Sequence, residues 1–254
     1  MAQKIKVGAV SYLNTKPLIY GFEQGEMKEE IELVMDYPAK IADMLIGDKI
    51  DIGLVPVAII PLLKEFHIVS DYGIACDGEV ASVCLFSDVP LHEIDTILLD
   101  YQSKTSVALL KILLGEHWKI SPKLVAAQAN YEHDIKGNTA GLVIGDRALK
   151  QRSENRFIYD LGTAWKEMTG LPFVFAAWIS NKIIPQDFIS DFNKANELGL
   201  GSLKQIIKQY QPVEYDLHKY YTENIRYRLD EEKRAGMQLF LEKVASLDNA
   251  VIIS

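Results

Sequence analysis

Short apolar runs alternate with stretches of helical spacing along the first half of the chain. Strand-like runs fall at residues 5–10, 31–37, 50–55, 68–69 and 83–87, and helical periodicity covers 16–22, 39–46 and 56–63. Pro38 and Pro56 stand where a chain commonly enters a helix, because the missing N–H is not needed in the first turn. Gly47-Asp48 marks a helix end. The middle repeats the theme, with strands at 96–99, 123–127, 140–144, 157–159 and 173–179 and helices at 103–114, 146–151 and 160–168. Alternation of this kind predicts βαβ units and largely parallel sheets with helices on both faces.

From about residue 186 the pattern is almost entirely helical, at 187–199, 202–209, a short 215–221 segment and 230–246. A cut near the middle would leave these helices without a sheet to cover. The alternative sends the chain out of its first domain near 87–90 and back near 175–180, so that the late helices pack on the first sheet. Lobe one is then 1–87 plus 180–254, lobe two is 88–179, and a ligand sits in the cleft between them. Pattern alone leaves this clamshell level with one continuous α/β domain.

Composition narrows the function. The 254 residues carry 27 Lys plus Arg against 35 Asp plus Glu, a net charge of −8 with no basic stripe, which argues against a nucleic-acid partner. No apolar run approaches the roughly 20 residues that span a bilayer, so a membrane partner is not expected. Met1, Ala2 and Gln3 run straight into the first strand without a basic and apolar leader, which points to a cytoplasmic protein. Cys76 and Cys84 lie in apolar, strand-like context and read as buried thiols of a reducing compartment, a disulfide between them being the alternative.

Four loops hold the candidate chemistry. Ser11-Tyr12-Leu13-Asn14-Thr15 precedes a helix with Pro17 in its first turn, and carries more hydroxyl and amide groups than one cap uses. Ser103, Thr105 and Ser106 cluster at the next helix start, where backbone N–H groups and the helix dipole favour an anion; plain capping accounts for the same residues. In Ile144-Gly145-Asp146 the carboxylate either caps the following helix or points into the cleft, and Ser82 leads into a strand near the presumed hinge as a ligand contact or part of a turn. No phosphate-loop, dinucleotide or serine-hydrolase motif is present. His67, His92, His117, His133 and His218 are scattered without metal-ligand spacing, so neither a metal nor a cofactor is expected. Glu26, Glu29, Glu30 and Glu32 read as a solvated face, and Trp118, Trp165 and Trp178 as core, with Trp165 near a loop that could line the cleft. The residues by themselves describe a two-lobed binder of a small anion.

Taken together, the loops resemble the MqnA/MqnD family of menaquinone biosynthesis, and within it the chorismate dehydratases of the futalosine pathway. The matching stretches are VGAVSYLNTKPL (7–18), ASVCLFS (81–87), LDYQSKTS (99–106), GLVIGDRAL (141–149), DLGTAWKEMTGLPFVFAAW (160–178) and YTENIRY (221–227). The resemblance implies a type II periplasmic-binding-protein-like, Venus-flytrap fold, each lobe a mainly parallel sheet flanked by helices. It also implies loss of water from chorismate to give 3-[(1-carboxyvinyl)oxy]benzoate by a substrate-assisted route, the enolpyruvyl carboxylate taking the proton. Asn14 is then the catalytic residue, orienting the substrate and its leaving hydroxyl. Ser11, Tyr12 and Ser82 are expected to bind from lobe one, and Ser103, Thr105 and Ser106 from lobe two, with Gly145 and Asp146 completing the set. Lys104 stands where Arg is common in that family. A transient contact with the next pathway enzyme belongs to the same expectation. Two rivals share the fold: a non-catalytic binder of a small carboxylate, and the 1,4-dihydroxy-6-naphthoate synthases, which rely on a His that none of the four loops supplies.

Overall fold

A computed structural model of the protein describes residues 4–247; the reading of Met1, Ala2 and Gln3 as running directly into the first strand lies outside them. Two mixed sheets carry the architecture. The first has the order β11-β4-β10-β3-β1-β2, built from β1 (Ile5–Val10), β2 (Ile31–Asp36), β3 (Ile52–Pro56), β4 (His67–Cys76), β10 (Phe173–Ser180) and β11 (Arg226–Arg228). The second has the order β7-β6-β8-β5-β9, from β5 (Val83–Ser87), β6 (Thr96–Leu99), β7 (Lys123–Ala126), β8 (Thr139–Ile144) and β9 (Phe157–Asp160). The helices are α1 (Lys16–Glu23), α2 (Pro38–Ile46), α3 (Lys104–Ile112), α4 (Gly145–Gln151), α5 (Leu161–Thr169), α6 (Gln186–Gly201), α7 (Leu203–Tyr210), the one-turn α8 (Leu217–Lys219) and α9 (Glu231–Ser246).

The sheets are not mainly parallel. In the first, β1 pairs parallel with β2 and β3, whereas β10 runs antiparallel to both β3 and β4, and β11 antiparallel to β4. In the second, β5 runs antiparallel to β8 and β9. The connections explain the difference: strands closed by crossover helices stay parallel, while the strands that bring the chain into or out of a sheet reverse direction. By sheet membership the passages lie before β5 and before β10, not after them.

Local signals account for most elements. Pro17 and Pro38 sit in the first turns of α1 and α2, and Ser103, Asp160 and Asp230 cap α3, α5 and α9 through their side chains. β10 is buried along all eight residues, as its apolar run at 173–179 requires, and the buried Ser180 that ends it donates to the Asp51 carbonyl at 2.8 Å. β4 extends well beyond the expected 68–69 because β10 pairs with both its ends, β11 pairs with Ala75 and Tyr72, and Asn193 on α6 accepts from Ser70 Oγ at 2.6 Å. Past Ile112 the helix beginning at Lys104 widens into a π-type turn, Leu113–Trp118, that ends on left-handed Lys119. Cys76 and Cys84 are buried free thiols, and Trp165 is fully buried in the core, its indole N–H on the Pro172 carbonyl at 3.2 Å.

The late helices cover the first sheet, as the sequence pattern demands. α6 lies on α1 so closely that a Cβ on Gly199 would stand 1.8 Å from the Pro17 carbonyl oxygen, and one on Gly21 2.2 Å from that of Ala195. Both neighbours are backbone, which cannot rotate away. Gly199→Ala is therefore expected to force the helices apart and lower stability by about 1–3 kcal/mol, read from urea denaturation.

Candidate active site

The site is assembled where three strand ends meet helix starts. After β1 the chain makes a short 3-10 turn, Leu13–Thr15, that buries Asn14 before α1 begins. The turn is held from outside itself: Tyr227 donates its hydroxyl to the Asn14 carbonyl at 2.9 Å, and the Leu13 N–H donates to Asp146 Oδ1 at 3.0 Å. Thr15 Oγ1 donates to Asn14 Oδ1 at 3.3 Å.

After β6, buried Asp100 organises the approach to α3. It accepts from the Gln102 N–H at 2.7 Å, from Tyr131 at 2.8 Å and from Arg147 of α4 at 2.5 Å. Burial pushes the Asp100 carboxyl above its ordinary value, and Arg147 opposes the shift. Arg147 also donates to Glu132 at 2.8 Å and to Gln102 Oε1 at 3.0 Å. Gln102 thereby reaches the other sheet's loops twice, through the Tyr12 hydroxyl and through its own carbonyl, which accepts the Ala39 N–H at 3.1 Å. Ser103 then caps α3, its Oγ accepting the Ser106 N–H at 3.2 Å and lying 3.0 Å from Ser106 Oγ.

The third contribution is the segment between β4 and β5. Left-handed Ala81 (φ +64) turns the chain so that Ser82 enters β5 from the cavity side, a conformation that costs a non-glycine residue about 1–2 kcal/mol. Gly145 meets it from β8, its N–H donating to the Ser82 carbonyl at 2.8 Å. With φ +62 and the Tyr12 ring 2.9 Å from where a Cβ would stand, this position requires glycine.

Between the sheets lies a cavity of about 480 Å³ of atom-free space, its mouth included. Tyr12, Asn14, Ser82, Ser103, Ser106 and Gly145 line it, against an apolar wall that includes Val10, Pro38, Pro56, Ile74, Phe175 and Ala176. Among its described lining residues none carries a charge. Hydroxyls, an amide and a helix N-terminus offer hydrogen-bond donors to an anion while its hydrocarbon part packs on the apolar wall.

Three expected residues stand apart from this cavity. Ser11 is exposed, its N–H on the Asp36 carbonyl. Thr105 is buried, but its hydroxyl accepts the Ala58 N–H at 3.1 Å and ties α3 to the loop after β3. Asp146 neither caps α4 nor lines the cavity: its carboxylate crosses to the Leu13 N–H and faces a separate hollow beside Lys150, Tyr210 and Tyr215. Sequence reasoning missed Gln102, Arg147 and the tyrosines of the C-terminal segment. They act at second hand, through other side chains, although Gln102, Arg147, Tyr221 and Tyr227 lie inside the matching stretches and that was the signal available. Tyr220 lies directly before the 221–227 match and outside it.

Among the described residues no three His, Cys, Asp or Glu side chains gather to hold a metal ion, and no helix is long and apolar enough to cross a membrane.

Two α/β lobes, each a mixed sheet flanked by helices, with a cavity between them define the periplasmic-binding-protein fold, and solved structures share it. A protein of Archaeoglobus fulgidus superposes with a TM-score of 0.73 at 14% identity, covering 96% of this chain and 97% of that one. The periplasmic aliphatic sulphonate binding protein SsuA of Escherichia coli gives 0.62 at 13% identity, covering 100% and 95%. Within that class a menaquinone biosynthesis family profile matches residues 5–246, and the chain belongs to that family. Chorismate dehydratase of Thermus thermophilus is 28% identical over 259 residues, 93% of each chain. That of Campylobacter jejuni is 24% identical over 252 residues, 96% of this chain and 99% of its own.

Burial pushes the Asp146 carboxyl above its ordinary value, opposed by the Leu13 N–H and the charges of Lys16 and Lys150. A raised value means the folded protein holds this proton to higher pH than the unfolded chain, so this group's contribution is lost as pH rises through the folded value. Asp146→Asn keeps an acceptor for Leu13 and removes the titration. Relative to wild type it is expected to gain stability between about pH 4 and about pH 7, read from urea midpoints at both.

Proposed function

We propose that the protein is a chorismate dehydratase, converting chorismate to 3-[(1-carboxyvinyl)oxy]benzoate and water. The observation that carries the reading is a charge-free cavity lined by Asn14, Ser82, Ser103 and Ser106, in a chain whose relatives bear that name along nearly their full length. Chorismate is a dicarboxylate on a compact ring. Ser103 and Ser106, at the positive end of the nine-residue α3, suit one carboxylate, and the apolar wall suits the ring.

The reaction breaks the C–H bond at the carbon bearing the enolpyruvyl ether and the C–O bond of the ring hydroxyl. The proton and the hydroxide leave as water, and the ring becomes aromatic, so the driving force is large. The site has to hold one conformer, exclude bulk water and assist the departing hydroxyl. No side chain of the described lining is a carboxylate or an imidazole, which supports a substrate-assisted route in which the enolpyruvyl carboxylate takes the proton. Asn14 orients the leaving hydroxyl, its turn fixed by Tyr227 and Asp146. A hydro-lyase classification, a cytoplasmic location and a handover to the next enzyme of the pathway belong to the same proposal.

Incubating the purified protein with chorismate, without metal or cofactor, is expected to give an aromatic product lighter by one water in mass spectrometry; tight binding without turnover would return the protein to solute capture. Asn14→Ala is expected to lower kcat by about 100-fold or more with an unchanged melting temperature, and near-wild-type turnover would remove Asn14 from the mechanism.

A further inference from the structure

We propose that Tyr220 is a positioning residue that turns the Ser82 proton into the cavity, so that Ser82 donates it to the ligand. The inference rests on the chorismate reading above. Tyr220 begins a one-turn π-type segment, Tyr220–Asn224, and is fully buried, with Tyr215 set edge-on to its ring at 6.0 Å. It does not line the cavity. Its hydroxyl donates to Ser82 Oγ at 2.7 Å, and the Asn14 carboxamide stands beside the same hydroxyl.

The proton count then decides the polarity of the site. A phenol has one proton and a serine hydroxyl has one. Once Tyr220 gives its proton to Ser82 Oγ, the serine oxygen is an acceptor on its inner side, and its own proton must go elsewhere. Among the described residues Ser82 Oγ makes no other hydrogen bond, and Ser82, although closed to bulk solvent, lines the cavity. The backbone is fixed as well: the Ser82 N–H donates to the Val80 carbonyl at 2.8 Å, and the Ser82 carbonyl accepts from Gly145 at 2.8 Å. Burial keeps the phenol protonated far above neutral pH, so its donor role does not titrate away. Ser82 therefore has its one hydrogen free for the cavity, which suits an oxygen acceptor such as a carboxylate.

The test compares wild type, Tyr220→Phe, Ser82→Ala and the double variant, measuring kcat and KM for chorismate together with melting temperature. Each single variant is expected to lose about tenfold in kcat/KM, the worth of one hydrogen bond to a charged group, with the same division between kcat and KM in both. The double variant is expected to lose about tenfold and not a hundredfold, and Tyr220→Phe to melt within a few degrees of wild type. Tyr220→Phe at wild-type efficiency, or multiplicative losses in the double variant, overturns the inference. Ser82→Ala at wild-type efficiency overturns it whether or not Tyr220→Phe folds. An inactive wild type overturns the functional reading and this inference with it, whereas an active wild type with unaffected variants overturns the inference alone.

Discussion

One buried carboxylate holds the place where the chain passes from one sheet to the other. Asp160, at the end of β9, accepts from the N–H groups of Val80 at 3.1 Å and Ala81 at 2.7 Å, and from Thr163 at 3.0 Å, where it also caps α5. Burial pushes its carboxyl above the ordinary value, and the three N–H groups oppose that shift. The same passage is gripped from the other side. Glu79 pairs with Arg152 at 2.9 Å and Lys219 at 3.3 Å, and although burial pushes its carboxyl up, those partners hold it below the ordinary range. This grip helps offset the left-handed strain at Ala81 and hold Ser82 at the cavity wall.

Charge is arranged around the cavity and kept out of it. Asp100, Arg147, Glu132, Asp146, Asp160 and Glu79 all stand behind the lining residues, each satisfied by a named partner. A buried charge left without partners would cost several kcal/mol or shift its pKa until neutral. Spending the charges on loop geometry leaves the lining with neutral dipoles, fixed before a ligand arrives. For the proposed dianionic substrate this matters twice: no lining carboxylate repels it, and no donor has to reorganise as it reacts.

Much of the scaffold was legible in the chain. β1, β5 and β6 begin and end where their apolar runs do, and Pro17, Pro38, Ser103 and Asp160 mark helix starts by local chemistry alone. The loops bearing Asn14, Ser82, Ser103 and Gly145 were legible as groups of donors beside helix starts or strand ends. β11 was not, because three residues reading Arg-Tyr-Arg have no period, and only pairing with β4 makes them a strand. Most of β4 was hidden for the same reason: its Ser70-Asp71-Tyr72-Gly73 centre has no apolar period, and the strand is defined by β10 pairing at both its ends and β11 pairing at Tyr72 and Ala75.

What the sequence determined by itself is local: helix starts, the fully buried β10 run, and the chemical type of each cavity loop, since capping and burial act over a few residues. Tertiary structure decided direction and partnership. It reversed β10 and β5 in their sheets, took Thr105 out of the cavity by giving its hydroxyl to Ala58, and turned Asp146 across to Leu13. It also set Tyr220 beside Ser82, 138 residues apart along the chain. A hydroxyl or carboxylate forms its bond with whichever polar group the packing brings within about 3 Å, and no local pattern encodes which group that is.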